Sequence, residues 1–331
     1  MNYPCPPVTA VMSEGSGAYV IHLTLSRRLE NYTLHTFSPS LEYFPPLMLR
    51  YRKCATNIVH VPADYGGLVT PRRAKLVATF HNYYLDPWFV RHCSFMHRIH
   101  YSTDLRWFTR QALKRASLVT AVSRYTAELV REDLDYAGEL RIVPNGIDIE
   151  RFSAQPEPHA GIRVLFSGNM SHRKGAHLLE RIAKGLSQDV ELWIASGLRD
   201  DVFSSGLPKN VRIIGRVPYD DMPALYNRVD ILLMPTLREG FGLAVAEAMA
   251  CGLPVVATNC SAIPEILQDE LGGYLIDAER VDDFIDRINY LAGDSSMRSR
   301  MGSINRQRIV SQFGETHMIE GYRRAFAELC G

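Results

Sequence analysis

Short apolar runs recur along this chain, separated by longer stretches in which apolar and polar residues are mixed. Thr9–Met12, Thr33–Phe37, Asn57–Val61, Lys75–His81, Leu118–Val122 and Leu140–Val143 read as strands. Ala18–Arg28, Tyr101–Arg115 and Arg124–Arg131 between them read as helices, and Ser13–Gly17 as a turn. A second series follows, with strands at Ile162–Ser167, Val190–Ala195, Val211–Ile214, Ile231–Met234, Val255–Thr258 and Tyr274–Ile276. Helices are predicted at Asp282–Ala292, Ser296–Phe313 and about Thr316–Leu329. Strand alternating with helix is the pattern of parallel βαβ units, so the fold class is α/β. Pro144-Asn145-Gly146-Ile147-Asp148 is a turn signal, and the Pro-rich Ala154–His159 stretch is the expected linker. The expected domains are residues 1–155 and 156–315, with the last helix, about 316–331, to be placed. There is no tandem repeat or low-complexity tract.

A length of 331 residues allows two domains, each with its own core. Net charge is +1, which argues against a polyanion partner, and no nucleic acid is expected. The charge is uneven: basic residues outnumber acidic ones through residue 155, and the reverse holds beyond it. Cys5, Cys54, Cys93, Cys251, Cys260 and Cys330 are scattered, with no Cys-x-x-Cys pair, the usage of a reducing compartment. The Met1–Pro7 start lacks a signal-peptide pattern, and no apolar stretch approaches a membrane span of about 20 residues. The expectation is a cytoplasmic protein, able to dock peripherally on the inner face of the cell membrane.

The densest candidate chemistry follows the apolar run Asp230–Pro235. Glu239 precedes the Gly240-Phe241-Gly242 turn, and Glu247 falls about two turns into the helix that follows. Glu239 thus sits at the carboxyl end of a strand, where open α/β sheets bind ligands. Gly240 and Gly242 allow close backbone approach, and the helix start offers N–H groups to phosphate. Taken alone, Glu247 also reads as a solvated helix residue and Glu239 as a charge at a helix N-terminus. A second strand tip, Ser167-Gly168-Asn169-Met170-Ser171-His172-Arg173-Lys174-Gly175, places two cations at a helix start. They can hold a diphosphate, although such turns are often merely solvated.

The first of these stretches resembles the retaining nucleotide-sugar glycosyltransferases of family four (glycosyl transferases group 1). Their signature is Pro-Ser-x-x-Glu-Gly-Phe-Gly-x-x-x-x-Glu-Ala-x-x-x-Gly-x-Pro-Val. This chain has Thr236 at the serine position and keeps the pattern through Val255. The resemblance implies the GT-B fold: two Rossmann-like domains facing across a cleft, the last helix crossing back to the first. It implies that Glu247 binds the ribose hydroxyls and Glu239 the donor-sugar hydroxyls, with the N–H groups of Phe241, Gly242 and Leu243 facing phosphate or sugar. The family's Gly-Arg-x-x-x-x-Lys-Gly diphosphate site aligns with Gly168–Gly175, so Lys174 matches its lysine. Asn169 stands where the arginine is expected, and Arg173 is the replacement cation. Val217, in Gly215–Pro218, borders the nucleobase, and Gly17, in Gly15-Ser16-Gly17, matches a Gly-Gly turn at the diphosphate and acceptor. His81, at a strand tip, matches a histidine beside the donor sugar, and Ser123 a motif serine that helix capping explains equally well. His81, Glu239 and Lys174 are the implied catalytic residues.

By that resemblance the chain is a retaining hexosyltransferase that needs no metal and no cofactor. A nucleotide-diphosphate sugar (a UDP-sugar or GDP-mannose) is the donor. A glycan or lipid-linked glycan of cell-envelope polysaccharide biosynthesis is the acceptor. There is no convincing nucleophilic carboxylate, which favours attack on the face the leaving phosphate departs from. A non-hydrolysing sugar-nucleotide 2-epimerase of the same architecture is one rival. A non-catalytic sugar-nucleotide-binding subunit, motivated by Asn169, is the other. Asp133-Leu134-Asp135 resembles a metal-binding Asp-x-Asp but is expected to face solvent. His92, Cys93, His97 and His100 lack ligand spacing and join a basic segment with Arg91, Arg98, Arg106, Arg110, Lys114 and Arg115. With the apolar and cationic Phe44–Lys53, this segment can meet an anionic membrane surface.

Overall fold

The computed structural model of the chain describes residues 6–92, 95–196 and 208–330. Two compact units emerge: residues 1–146 with 316–331, and residues 147–315. The division falls inside the Pro144–Asp148 turn. The Ala154–His159 stretch, expected as the linker, runs along the second unit, where the Gln155 N–H donates to Asn227 Oδ1 (2.6 Å) and the Glu157 N–H to the Asn227 carbonyl (2.8 Å).

Each unit is built on a six-stranded parallel sheet. The first has the order β2-β1-β3-β4-β5-β6. Its strands are β1 (Val8–Ser13), β2 (Tyr32–Phe37), β3 (Ile58–Pro62), β4 (Lys75–Phe80), β5 (Leu118–Ala121) and β6 (Leu140–Ile142). The second has the order β12-β11-β10-β7-β8-β9. It comprises β7 (Ile162–Gly168), β8 (Val190–Ser196), β9 (Val211–Ile213), β10 (Ile231–Met234), β11 (Val255–Thr258) and β12 (Gly273–Ile276). Strands covered by helices on both faces must be apolar on both, and Ile231, Leu232, Leu233 and Met234 are all fully buried. The strand order reverses between β1 and β3 in the first sheet and between β7 and β10 in the second. Such a reversal opens a crevice at the carboxyl ends of the strands.

The last helix, Glu315–Glu328, packs on the first sheet, with the Tyr322 ring tilted 43° to that of His60 at 4.7 Å and Phe326 6.1 Å from Tyr32. Helices 101–115 and 296–313 each contain one irregular turn, wider than an α-helical one, at Tyr101–Leu105 and Ile309–Phe313. No helix among the described residues is long and apolar enough to cross a membrane.

Two expectations about exposed charge are corrected. Asp135 is exposed as expected, but Asp133 is half-buried: it accepts from the Tyr83 hydroxyl and pairs with Arg106 (2.8 Å). Arg106 and Arg115 are likewise spent internally, Arg115 on the carbonyls of Gly67, Thr70 and Pro71. Cys5 and Cys93 lie outside the described residues, as does the side chain of His97. His92 bonds the Trp88 carbonyl (2.8 Å), and His100 lies between Tyr65 and Asp104.

Candidate donor site

The crevice between β7 and β10 assembles most of the residues singled out in the second unit. After β7, Ser171 caps the short turn His172–Lys174, which ends at Gly175 in a left-handed conformation (φ +74°). A Cβ on Gly175 would stand 1.9 Å from the Pro235 carbonyl, so only glycine lets this turn press against the end of β10. The two loops are laced together: Leu237 N–H donates to the Arg173 carbonyl (2.7 Å), as does the Thr236 hydroxyl (3.1 Å).

This contact delivers the Lys174 ammonium to Glu239 Oε1 at 2.5 Å, with the Arg173 guanidinium at 3.3 Å and the Thr236 hydroxyl at 3.0 Å from the same oxygen. Ser261, itself at φ +52°, accepts the Glu239 backbone N–H (3.2 Å). Burial pushes the Glu239 carboxyl up, but the Lys174 and Arg173 charges outweigh it and hold the group below its ordinary value. Burial lowers Lys174, and the opposing pull of Glu239 only partly compensates. Two cations against one carboxylate leave this corner positive. Gly242 (φ +103°) starts the helix Leu243–Ala250 beside it, whose first-turn amides have no intrahelical acceptor. Phe241 buries its ring against Phe313 (5.9 Å), which leaves its backbone as the part able to meet a ligand.

Glu247 lies on the buried side of that helix at 5 % exposure, so the solvated reading fails. It accepts from the Tyr226 hydroxyl at 3.0 Å. Burial raises its pKa to about 7, against the opposing pull of Tyr226, Arg151 and Tyr219. Sequence reasoning missed Tyr226, Tyr219 and Arg151, whose guanidinium lies 4.5 Å from the centre of the Tyr219 ring. The helix Met222–Tyr226 is too short to show a period, so only the preceding Val217-Pro218 match pointed there. Val217 is half-buried in an irregular segment next to Gly215 (φ +80°), around which there is open space. Asn169 is exposed, its carbonyl accepting from Ser171 N–H (2.8 Å).

The raised pKa of Glu247 has a measurable consequence. The folded state keeps its proton to about pH 7, while the unfolded chain releases it near 4.5. Stability is therefore lost as pH rises from 4.5 to about 7 and stays reduced above that, by about 3 kcal/mol. Glu247→Gln removes this loss. Its stability advantage over the parent in urea should grow between pH 5 and pH 8; an equal difference at both would show that Glu247 is ionised throughout.

In the first unit, Gly17 opens the helix Gly17–Arg28, capped by Ser16, after β1. Ser123 caps Arg124–Leu134 by accepting from Thr126 N–H (3.1 Å). His81 directly follows β4; its Nε2 lies 3.1 Å from His22 Nε2, and its Nδ1 is buried without a hydrogen-bond partner. Burial lowers the His81 pKa to about 4, so it is neutral at pH 7.

The two parallel sheets agree with the comparisons. The family described as Glycosyltransferase Family 4 matches residues 8–151, and the one described as Glycosyl transferases group 1 matches residues 148–308. The chain belongs to these glycosyltransferases. An uncharacterized glycosyltransferase of Methanocaldococcus jannaschii is 25% identical over 68% of this chain and 63% of its own. The GDP-mannose-dependent alpha-(1-6)-phosphatidylinositol monomannoside mannosyltransferase of Mycobacterium tuberculosis is 28% identical over 62% of this chain and 61% of its own. The chain thus spans less than two thirds of the length of these relatives. Sucrose-phosphate synthase from Thermosynechococcus elongatus superposes with a TM-score of 0.81 at 17% identity, covering 98% of both chains. Anabaena HepE in complex with UDP and glucose gives a TM-score of 0.80 at 17% identity, covering 97% of this chain and 99% of its own. At such identity these likenesses establish the GT-B fold.

Proposed function

We propose that this glycosyltransferase moves a sugar from a nucleoside-diphosphate sugar to a glycan or lipid-linked acceptor, with retention and without a metal ion. The Lys174–Glu239 pair, with Arg173 on the same carboxylate, is the observation that carries this reading. A departing diphosphate needs cations and amides, which this corner supplies. Glu239 has one oxygen held by three donors, an arrangement suited to holding sugar hydroxyls rather than attacking carbon. In the proposed reaction the acceptor oxygen bonds to the anomeric carbon as the carbon–phosphate oxygen bond breaks. The leaving phosphate takes the acceptor's proton on the same face. Glu247 receives the ribose hydroxyls, and His81 of the first unit serves the donor sugar.

A thermal-shift panel of UDP-, GDP- and ADP-sugars is the test. A donor at a hundred times its dissociation constant should stabilise by about 2.7 kcal/mol, a rise of several degrees in melting temperature. No rise with any member would sink the reading. Donor turnover without acceptor, with isomerised sugar recovered, would establish the epimerase instead. Binding without transfer or hydrolysis would establish the non-catalytic subunit.

An anionic membrane surface is the proposed site of a lipid-linked acceptor, on the cytoplasmic side. Phe44 (64 % exposed) and Leu47 share the segment 44–53 with the exposed Arg50 and Lys53, and Trp107 shares the helix Arg106–Arg115 with the exposed Arg110. Apolar anchors among cations bind such surfaces. The chain should sediment with phosphatidylserine vesicles at low salt and be released as salt rises. Failure to sediment at low salt would remove the membrane from the proposal.

A further inference from the structure

The strand reversal in the first sheet opens a crevice of its own, and four segments there bring together polar groups that the donor site does not use. Ser13 ends β1, Glu42 lies in the turn Pro39–Tyr43 after β2, and Asp64 and Tyr65 follow β3. His100 and Asp104 come from the helical segment after β4. The Tyr65 hydroxyl ties three of these segments together, lying 3.0 Å from His100 Nε2 and 3.5 Å from the Glu42 carbonyl. Asp104 holds the other side of His100, its Oδ2 2.8 Å from Nδ1. All of these residues are half-buried, so the recess they line is reachable from solvent.

Within it, Glu42 and Asp64 stand unbalanced. Burial pushes both carboxyls up. Ser13 and His100 pull Glu42 part of the way back, whereas the Glu42 charge raises Asp64 further, to about 7. Among the described residues no lysine or arginine pairs with either carboxyl, and no hydrogen bond reaches that of Asp64. Asp133, half-buried in the same unit, is by contrast matched by Arg106 and Tyr83. A carboxyl drawn out of water without a partner costs stability. Such a cost is kept where a ligand supplies the missing donors. A metal ion would need further ligands, and among the described residues no group of three stands ready for one. An ammonium group would need both carboxyls charged, which the raised pKa of Asp64 opposes. A sugar hydroxyl both donates and accepts, and so does a carboxylate beside a carboxyl that is half protonated at pH 7. Aromatic rings lead to the recess: Tyr101 lies 5.7 Å from His100 and 6.2 Å from Tyr84, which is 41 % exposed. Such rings give the apolar C–H face of a sugar a surface to lie on.

We propose that Glu42 and Asp64 are specificity-determining residues for the acceptor: their recess takes the hydroxyls of an uncharged sugar and turns phosphorylated or acidic sugars away. The role in transfer rests on the glycosyl-transfer reading; the preference for a neutral sugar does not.

Saturation-transfer difference spectra of the full chain at pH 7.5, without nucleotide, read the preference. The neutral probes are the methyl glycosides of glucose, mannose, galactose and N-acetylglucosamine; the charged ones are glucose 6-phosphate, glucuronic acid and glucosamine. At least one neutral probe should bind, about tenfold or more tighter than any charged one. Asp64→Leu should abolish that binding, and Asp64→Asn, which keeps a donor and an acceptor, should retain it. Glu42→Gln combined with Asp64→Asn should narrow the gap to glucose 6-phosphate, a change that a merely structural pair would not produce. Asp64→Asn should also melt above the parent at pH 8, where it removes an unpaired charge. The proposal is overturned by binding of no neutral probe, by a parent that prefers a charged one, by neutral binding that survives Asp64→Leu, by an unchanged gap in the double variant, or by a lower melting temperature for Asp64→Asn. Should Asp64→Leu not fold, the double variant decides it.

The functional arm measures transfer from UDP-glucose and GDP-mannose to the neutral glycoside that binds, with donor affinity measured separately. Asp64→Leu should remove transfer at unchanged donor affinity, and Asp64→Asn should recover most of it. Transfer unchanged in Asp64→Leu would overturn the acceptor role. A parent that binds no sugar nucleotide, yet loses the neutral glycoside in Asp64→Leu, would count against the transfer reading and support the sugar preference.

Discussion

His81→Ala is expected to lower turnover by about two to three orders of magnitude while donor affinity stays within about twofold. The side chain sits at the end of β4 with one ring nitrogen engaged by His22 and the other buried and unpartnered. A hydrogen bond that forms fully only as the sugar begins to leave lowers the barrier without strengthening the ground state. Removing it should therefore depress the catalytic constant and spare binding. The variant also leaves His22 Nε2 without its partner, so melting temperature must be followed in parallel. A loss of about 1–3 kcal/mol is expected from that source. Parent-like turnover in a folded variant would make His81 a strand-end residue with no part in transfer.

Lys174→Ala should show the second large effect, and in two separable quantities. Affinity for nucleoside diphosphates and their sugars should fall about 10- to 150-fold, the contribution of a charged hydrogen bond of about 1.5–3 kcal/mol. The free nucleoside, which lacks phosphate, should bind as before. Stability should fall as well, because Glu239 would keep its charge in a buried place with Arg173 as its remaining cation at 3.3 Å. Losing one partner of a buried pair costs about 3–5 kcal/mol; Arg173 brings the expectation to the lower end. Adding Glu239→Gln to Lys174→Ala should restore most of that stability but not diphosphate affinity. Recovery of both would mean that Lys174 serves only to neutralise Glu239.

The strands of both sheets were legible because each is a short apolar run ended by a turn, and their ends shift by no more than a residue or two. What escaped notice were the segments too short to display a period: Gly66–Val69, Met222–Tyr226 and Ile263–Ile266. Their shape is set by what they pack against. Within the proposed donor site, Glu239, Lys174 and Arg173 could be picked out because charge beside glycine at a strand tip is conspicuous, and the structure joins them. The burial of Glu247 could not be read, since an Ala-rich helix with one carboxylate looks the same whether that face is wet or dry. Nor could the buried hydrogen-bonded run from Thr120 through Thr79, His60, Tyr32 and His22 to His81 be seen. Its members come from four strands and a helix, and each alone resembles an ordinary polar residue.

The first unit is completed by a helix that lies, in the chain, beyond the whole of the second. Domains made on the ribosome usually fold as they emerge, amino-terminal first. Here residues 1–146 emerge long before Tyr322 and Phe326, which cover His60 and Tyr32. Residues 147–315 are contiguous and carry their own sheet, so they can close while the earlier one still waits for its cover. The half synthesised first is the half finished last. Until the last helix arrives, its buried histidines are open to water and protons, and to any chaperone that binds exposed aromatic surface.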